Sequence, residues 1–279
     1  MQNTKLSRGC NPIVNILFSG GYDSTLLLCD AVIVEKTEVN VITIEPDFSH
    51  DKVERERKAR NEIIKVLREK YDARITVSTI KIDISASHYV DSTYLTQPLF
   101  WLPAIFTLTK ADENNEVRIG YILGDQALTH TSDFEEMAKA VSHFKDKELY
   151  ITFPLKYYSK EEVLMRLYTE FTDIIDLCTS CETHYTSKDM KEGYCQRCNP
   201  CKHMIKALKY IASDSTRDIK FRKWAVEKLK NYNINAECLI GKTDSMDHII
   251  SECRWRLNLD EYKLASVEIK DEKEEENNE

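Results

Sequence analysis

The fold of this chain is decided by the stretch "NILFSGGYDSTLLLCDAV" at residues 15–32. An apolar run stops there at Ser19, two glycines follow at Gly20 and Gly21, and a second apolar run with helical spacing begins a few residues later. A buried strand that turns through glycines into a helix is the opening unit of many parallel α/β sheets. Such a turn directs backbone N–H groups at a ligand, so it predicts an anion site, most simply for polyphosphate.

Working outward, apolar β-branched runs alternate with amphipathic patterns along the first two thirds of the chain. This alternation predicts a doubly wound parallel α/β sheet with crossover helices. The predicted strands are Ile13 to Phe18, Val39 to Glu45, a third within Ala73 to Ile84, Val117 to Asp125 and Glu148 to Leu155. The helices predicted between and after them are 24–35, 51–71, 98–112, 133–144, 159–168, 201–213, 221–231 and 251–264.

The domain organisation follows from where the sheet pattern ends. Ser159 and Glu162 form a predicted capping box ahead of the last helix of the α/β region, and a cysteine-rich segment comes next. We expect four regions, which are an α/β domain at 1–175, a cysteine-rich zinc knuckle with its helix at 176–212, a helical extension at 213–270 and a disordered acidic tail at 271–279.

Composition restricts the function classes. The 279 residues are 42% hydrophobic and carry a net charge of −8, of which the tail "DEKEEENNE" carries −5. No window reaches the roughly 18 apolar residues of a membrane span, and the N-terminal residues lack the apolar centre of a signal peptide. We therefore expect a cytoplasmic protein without membrane contact, and its mildly acidic body makes nucleic acid an unlikely partner.

The glycine turn differs from the common phosphate motifs. It lacks the GK[ST] of a Walker A loop and the three spaced glycines of a dinucleotide fingerprint. Backbone N–H groups, serine hydroxyls and the start of a helix are the donors it offers. Asp23 is a candidate for organising Mg²⁺, which a leaving pyrophosphate requires.

Five of the nine cysteines lie between residues 178 and 201, with CxxC spacings that indicate a metal rather than disulfides. Tetrahedral Zn²⁺ takes four ligands, so one cysteine is spare. Spacing alone permits two CxxC pairs, Cys178 with Cys181 and Cys195 with Cys198. It also permits the CxxCxxC run that ends at Cys201 plus one upstream cysteine, and His184 and His203 remain candidate ligands.

"SGGYDS" resembles the SGGxDS loop of the PP-loop ATP pyrophosphatase family. In that family the loop grips the β and γ phosphates of ATP, a nucleophile attacks the α phosphorus and pyrophosphate leaves. The resemblance implies that ATP and Mg²⁺ are used and that Asp23 and Ser24 take part in catalysis. The residues it places at the nucleotide are Phe18, Ser19, Gly20, Gly21, Tyr22, Asp23, Ser24 and Thr25.

The combination of this loop with the distal CxxCxxC run resembles the 7-cyano-7-deazaguanine synthase (QueC-like) family. The resemblance covers about Ile13 to Leu208. "YILGDQ" and "FPLKYYSKEEVLMRLY" resemble further landmarks of that family, and "LCTSCE" resembles a segment whose cysteine is the fourth zinc ligand. The resemblance thus implies structural Zn²⁺ and a homodimer. It also implies ATP-dependent conversion of a purine-like carboxylate, 7-carboxy-7-deazaguanine, with ammonia through the amide to the nitrile. The implied zinc ligands are Cys181, Cys195, Cys198 and Cys201.

Two stretches depart from that family. Relatives carry motifs like "NAEDYSGYPDCR" and "PGRN" that are associated with the deazaguanine, whereas this chain has "GDQALTHTSDFEE" and "YLTQPLFWLP". Asp125, Gln126 and Asp133 are the candidates for the substrate side. The departure favours a variant, phage- or defence-associated, with an altered product or acceptor.

Two other functions compete with this one. A PP-loop tRNA-thiolating enzyme would need Cys29 or Cys10 as its sulfur carrier, although Cys29 lies in an apolar helical run typical of a core residue. A non-catalytic nucleotide-sensing module would keep the loop and use the C-terminal extension to contact a protein partner.

Overall fold

The computed structural model describes residues 13–46, 50–82, 96–109, 116–145, 149–181, 194–196 and 198–240. The strands are β1 (Val14–Leu17), β2 (Val39–Pro46), β3 (Ile75–Ile82), β4 (Glu116–Arg118) and β5 (Tyr150–Thr152). The helices are α1 (Tyr22–Cys29), α2 (His50–Tyr71), α3 (Thr96–Leu108), α4 (Thr131–Lys145), α5 (Lys160–Glu170), α6 (Thr172–Ile175), α7 (Asn199–Ser213) and α8 (Ile219–Lys230). Across these residues we find no helix with the length and apolar character that a membrane span requires.

The five strands form one parallel sheet in the order β3-β2-β1-β4-β5. The chain steps in one direction from β1 to β3 and then returns to the other side of β1 for β4 and β5. With right-handed crossovers, this order places α1 and α2 on one face and α3 and α4 on the other. The predicted doubly wound α/β fold is confirmed.

The two central strands are buried on both faces, as parallel strands between helices must be. They nevertheless contain two asparagines that hydrogen-bond each other, the Asn40 Nδ2 donating to Asn15 Oδ1 at 2.9 Å. Asn40 also accepts from the hydroxyls of Thr76 (3.2 Å) and Ser78 (2.9 Å) on the next strand. This network satisfies the buried amides and fixes the register of three strands.

Several predicted boundaries differ from those of the structure. The fourth strand is only three residues long, because the chain turns through Gly120 and Gly124, and Gly124 has a φ of +90°. The fifth strand is equally short. The first helix is regular only to Cys29 and continues as a π-helical segment, Asp30–Val34, which ends where Lys36 adopts a φ of +54°.

The chain divides into two compact units, Met1–Ala207 and Leu208–Glu279. The first contains the sheet and the cysteine segment. In the second, Asp218 caps α8 by accepting from Lys220 and Phe221 N–H groups, and the buried Arg222 donates to the carbonyls of Ala212 and Ile240. The four-region division at 175, 212 and 270 stays a prediction, and the predicted helix at 251–264 and the acidic tail lie outside the described residues.

Candidate functional site

The glycine turn between β1 and α1 is held by its own serines. Ser19 Oγ accepts from the Gly21 N–H at 3.2 Å, and Ser24 Oγ accepts from the Ser19 N–H at 3.3 Å while donating to the Gly21 carbonyl. The first intrahelical bond runs from Thr25 N–H to Gly21 O. The N–H groups before Thr25 therefore point out of the helix end, which is where an anion binds.

The turn has no room for a side chain at Gly20. That residue has a φ of +82°, and an added Cβ would lie 3.2 Å from Ala59 Cβ and from the N and Cγ of Arg60, on α2. On the other side, a Cβ at Gly120 would lie 3.0 Å from the Ser24 N. The backbones of α2 and of the segment after β4 thus pack directly on the turn, and glycine is needed at both positions.

The turn also lies at the position in the sheet where ligands bind in this class of fold. β1 pairs with β2 on one side and with β4 on the other, and the chain reverses direction across the sheet at β1. In open parallel sheets the crevice beyond the carboxyl ends of the strands at this reversal binds the ligand. Fold and loop therefore indicate the same crevice.

A charged pair faces the turn. Both carboxylate oxygens of Asp23, in the first turn of α1, accept from Lys160 Nζ at 2.7 and 2.5 Å, and Lys160 is the first residue of α5. Burial lowers the pKa of the nearby His203, and the cationic Lys160 and Lys206 lower it further. Among the described residues, Asp23 is the hydrogen-bond partner of Lys160, so one ion pair lies beside the turn.

The other predicted nucleotide residues are largely buried. Phe18, Tyr22 and Thr25 are each less than 7% exposed, and the Phe18 N–H is already bonded to the Ile42 carbonyl. Thr25 Oγ1 is a fully buried hydroxyl that has no hydrogen-bond partner among the described residues. Ser19 is exposed, so its hydroxyl is the side-chain group that the turn offers to a ligand.

Four cysteines come together after α6. The Sγ atoms of Cys181, Cys195, Cys198 and Cys201 all lie within 4.8 Å of one another. Four sulfurs at 2.3 Å from one tetrahedral ion lie about 3.8 Å apart, so the cluster fits a zinc knuckle. The four thiolates of a cubane cluster bind separate irons and need a wider spacing.

The remaining cysteine of this segment lies apart from the cluster. Cys178 is buried and its Sγ approaches the Ile174 carbonyl at 3.7 Å. The four clustered cysteines are those that the family resemblance favoured. Hydrogen bonding with Cys181 and Cys198, followed by burial, strongly raises the pKa of the Cys201 thiol. Four closely spaced thiols of this kind become thiolates only when a cation is bound.

The cysteine segment touches the glycine turn. The Thr179 N–H donates to the Gly20 carbonyl at 3.0 Å, and a Cβ at Gly21 would lie 3.5 Å from the Thr179 carbonyl. Thr179 lies two residues before the first cluster cysteine. The cysteine segment and the turn are therefore joined through a backbone hydrogen bond.

The predicted substrate residues lie at the carboxyl edge of β4, and two of them have local partners. Asp125 Oδ2 accepts from the Ile122 N–H at 3.0 Å, which closes the turn at Gly124. Asp133 is half exposed and pairs with His130 Nδ1 at 2.8 Å. The side chain of Gln126 lies outside the described residues.

Sequence reasoning overlooked three contributors to this site. Lys160 lies within the capping box that begins at Ser159. The signal that could have identified it is the stretch "FPLKYYSKEEVLMRLY", which resembles a landmark of the QueC-like family. Gly120, in "RIGYILGD", was assigned to a strand interior, although a glycine there often marks a close backbone approach. No sequence signal identifies Thr179, because its role is carried by the backbone.

Comparisons with known proteins give distant structural likenesses. No protein-family model matches the sequence, and no curated protein matches it. A predicted subunit of tRNA methyltransferase from Methanocaldococcus jannaschii is 20% identical over 55% of this chain and 72% of that one, with a TM-score of 0.38. NMN synthetase from Francisella tularensis is 13% identical over 85% and 89% of the two chains, with a TM-score of 0.40.

A third likeness is to U34-tRNA thiolase NcsA from Methanococcus maripaludis, a structure with its [4Fe-4S] cluster. It is 14% identical over 85% of this chain and 80% of that one, with a TM-score of 0.37. At such identities and TM-scores, these likenesses assign no family and no activity to this chain.

Proposed function

We propose that this protein is an ATP-dependent, AMP-forming enzyme of the PP-loop type that adenylates a carboxylate and passes the acyl group to ammonia. The observation that carries the proposal is the turn at residues 18–21. It is a backbone cradle at the helix start, closed by Gly20 on one side and Gly120 on the other, at the reversal point of the sheet. A cradle without a Walker lysine suits the two outer phosphates of ATP.

Different residues around the cradle would bind the phosphates and the Mg²⁺ of MgATP. Ser19 and the N–H groups at the start of α1 bind the β and γ phosphates, and the helix end adds partial positive charge. Asp23 would provide one carboxylate in place of its bond to Lys160, which fits Mg²⁺ since that ion takes one or two protein carboxylates besides phosphate oxygens. When bound, Mg²⁺ neutralises charge on the leaving pyrophosphate.

Lys160 changes partner in this scheme. Its ammonium is held by both carboxylate oxygens of Asp23, and it would be available to the α phosphate if Asp23 held Mg²⁺ instead. A fixed cation at that position stabilises the charge that develops as the α phosphorus is attacked. No side-chain nucleophile is required, because the substrate carboxylate supplies the attacking oxygen.

The finer assignment is 7-carboxy-7-deazaguanine as substrate and its nitrile as product, as in the family that the two motifs resemble. A carboxylate oxygen attacks the α phosphorus and pyrophosphate leaves with the electrons of the broken P–O bond. Ammonia then displaces AMP to give the amide. A second ATP adenylates the amide oxygen, and loss of AMP with the two N–H protons leaves the nitrile.

Zinc takes a structural role in this proposal. The set Cys181, Cys195, Cys198 and Cys201 offers four soft thiolates at tetrahedral spacing and no open position for water. These residues would hold the metal, and its contribution is to order the segment that contacts Gly20 through Thr179.

The test is ATP–pyrophosphate exchange with 7-carboxy-7-deazaguanine, followed by mass spectrometry of the product after ammonia is added. We expect exchange in the wild type and a decrease of at least about a hundredfold in Lys160→Met, the size typical of losing one charge-stabilising donor. Lys156→Met is the matched control, since Lys156 is exposed and lies four residues earlier.

The outcomes separate the parts of the proposal. If MgATP binds and no exchange occurs, the carboxylate assignment is wrong and a nucleotide-sensing module is favoured. Release of ADP and orthophosphate would refute the cradle assignment. For the thiolation alternative, Cys29 is a poor sulfur carrier because it is fully buried and burial raises the pKa of its thiol well above the ordinary value. The other candidate carrier, Cys10, lies outside the described residues.

A further inference from the structure

A second cavity lies at the edge of the sheet, between α2 and the outer strands β2 and β3. Its volume is about 360 Å³. Thr43 and Glu45 of β2 face it beside their register partners Thr79 and Lys81 of β3. β3 is an edge strand, and β2 and β1 lie between it and β4, so this cavity lies beside the crevice between β1 and β4. The lining residue Arg60 also packs on Gly20 of the glycine turn.

A buried carboxylate organises one wall. Glu45 accepts from Arg60 Nη2 at 2.6 Å and from Arg57 Nε and Nη2 at 3.2 and 2.8 Å, so both of its oxygens are engaged. The Arg57 hydrogen bond is the main reason that the pKa of Glu45 is lowered. Glu45 therefore holds the guanidinium of Arg57 in a fixed orientation at the cavity.

The cations at the cavity outnumber its anion. Three cationic side chains and one carboxylate line it, which gives a net charge of +2 in a chain whose total is −8. Arg57 uses three of its five N–H donors, two for Glu45 and one for Glu54. The Glu54 side chain is 71% exposed, so a ligand can displace it easily. Lys81 is exposed and forms no ion pair with any residue in the described part of the chain.

The rest of the lining offers hydroxyls and an apolar surface. The hydroxyls of Thr43 and Thr79 lie 2.6 Å apart, so one of them keeps a free lone pair or proton for a ligand. Val77 is 46% exposed although it lies within a strand, and Ile64 of α2 lies opposite. A ligand with a doubly charged head and a small less polar body matches these surfaces.

We propose that this cavity binds a small phosphorylated metabolite, with the phosphate held between Arg57 and Lys81 and the body lying on Val77 and Ile64. A planar guanidinium beside an ammonium and a hydroxyl supplies donors for three phosphate oxygens. A metal ion does not fit the same cavity, because its only carboxylate is fully engaged by two arginines. The proposal is independent of the function assigned to the glycine turn.

The test is a titration of ¹⁵N-labelled full-length protein, at constant ionic strength, with inorganic phosphate, glycerol 3-phosphate and succinate. The amides of Thr79 and Lys81 report on the cavity, and those of Gly20 and Gly21 report separately on the turn. We expect saturable shifts at Thr79 and Lys81, with glycerol 3-phosphate binding more tightly than phosphate and phosphate more tightly than succinate.

Variants then locate the contact. Lys81→Gln and Arg57→Gln should each weaken glycerol 3-phosphate binding at least about tenfold, as expected for the loss of one charge-assisted contact. Lys65 is an exposed lysine of α2, the helix that carries Arg57, and Lys65→Gln should leave the affinity for glycerol 3-phosphate unchanged. Absence of saturable shifts at Thr79 and Lys81, unchanged affinity in Lys81→Gln, or tighter binding of succinate would each overturn the proposal.

Discussion

Replacing Gly20 by alanine tests the cradle most directly, because the chain provides a matched control. Gly20 and Gly124 both have positive φ angles, +82° and +90°. An added Cβ at Gly124 meets nothing within 4 Å, whereas at Gly20 it would lie 3.2 Å from three atoms, one of them the backbone N of Arg60. Both variants place an alanine in the left-handed region of backbone conformation, and only Gly20→Ala adds a steric clash.

The magnitudes follow from that difference. A left-handed alanine costs about 1 kcal/mol, so Gly124→Ala should lower the free energy of unfolding by about that amount. Gly20→Ala adds overpacking against α2, which costs about 1–3 kcal/mol more in well-packed sites. If the turn relaxes instead, the Gly20 carbonyl moves away from the Thr179 N–H and the N–H groups of the cradle lose their alignment.

The assay combines urea unfolding with calorimetric titration of MgATP. Gly124→Ala should bind MgATP as the wild type does, and Gly20→Ala should lose at least about tenfold in affinity, which corresponds to one hydrogen bond to a charged group. Equal destabilisation in the two variants, or wild-type affinity in Gly20→Ala, would show that the close packing at Gly20 does not shape the site.

Three further predictions concern other parts of the first unit. Asn40→Ala should lower the free energy of unfolding in urea by about 2–4 kcal/mol, because it removes the donor to the buried Asn15 Oδ1 and the acceptor of the Thr76 and Ser78 hydroxyls. The pKa of Glu45 is lower in the folded than in the unfolded chain, so the stability that its carboxylate contributes is present above the unfolded pKa and is lost as the pH falls through the folded pKa. Glu45→Gln should therefore flatten the acid side of a plot of Tm against pH. We expect elemental analysis to give one zinc per chain in the wild type and none in Cys198→Ser, and a full zinc content in the variant would contradict the proposed ligand set.

The fold could be predicted because its signals are local. Apolar runs of strand length, separated by helical patterns, predicted all five strands and their parallel arrangement. The lengths of β4 and β5 were overestimated, since an apolar segment such as "YIL" looks the same in a strand and in the buried turn that follows it. The π-helical continuation of α1 had no signal, because nothing in the sequence of residues 30–34, DAVIV, separates a π-helical turn from an α-helical one.

The candidate site was only partly predictable, because half of its contacts join distant segments. Ser19 and Ser24 are near neighbours, and the glycine motif located them. The pair formed by Asp23 and Lys160 spans 137 positions, and the contact of Gly120 with Ser24 involves only backbone atoms. Spacing alone also could not choose between Cys178 and Cys181, which the folded segment places in different environments.

The contact between the cysteine cluster and the turn limits what zinc, as proposed, would contribute to the proposed activity. The connection is one backbone hydrogen bond, from Thr179 N–H to the Gly20 carbonyl, together with the packing of Gly21 on the same residue. A bond of this kind contributes about 0.5–1.5 kcal/mol, so its loss would weaken phosphate binding by about tenfold at most. If zinc acts on the cradle only through this contact, it would not decide whether the proposed cradle binds phosphate. It would set how well the cradle is ordered beforehand, which is the role expected of a metal with four protein ligands and no open coordination position.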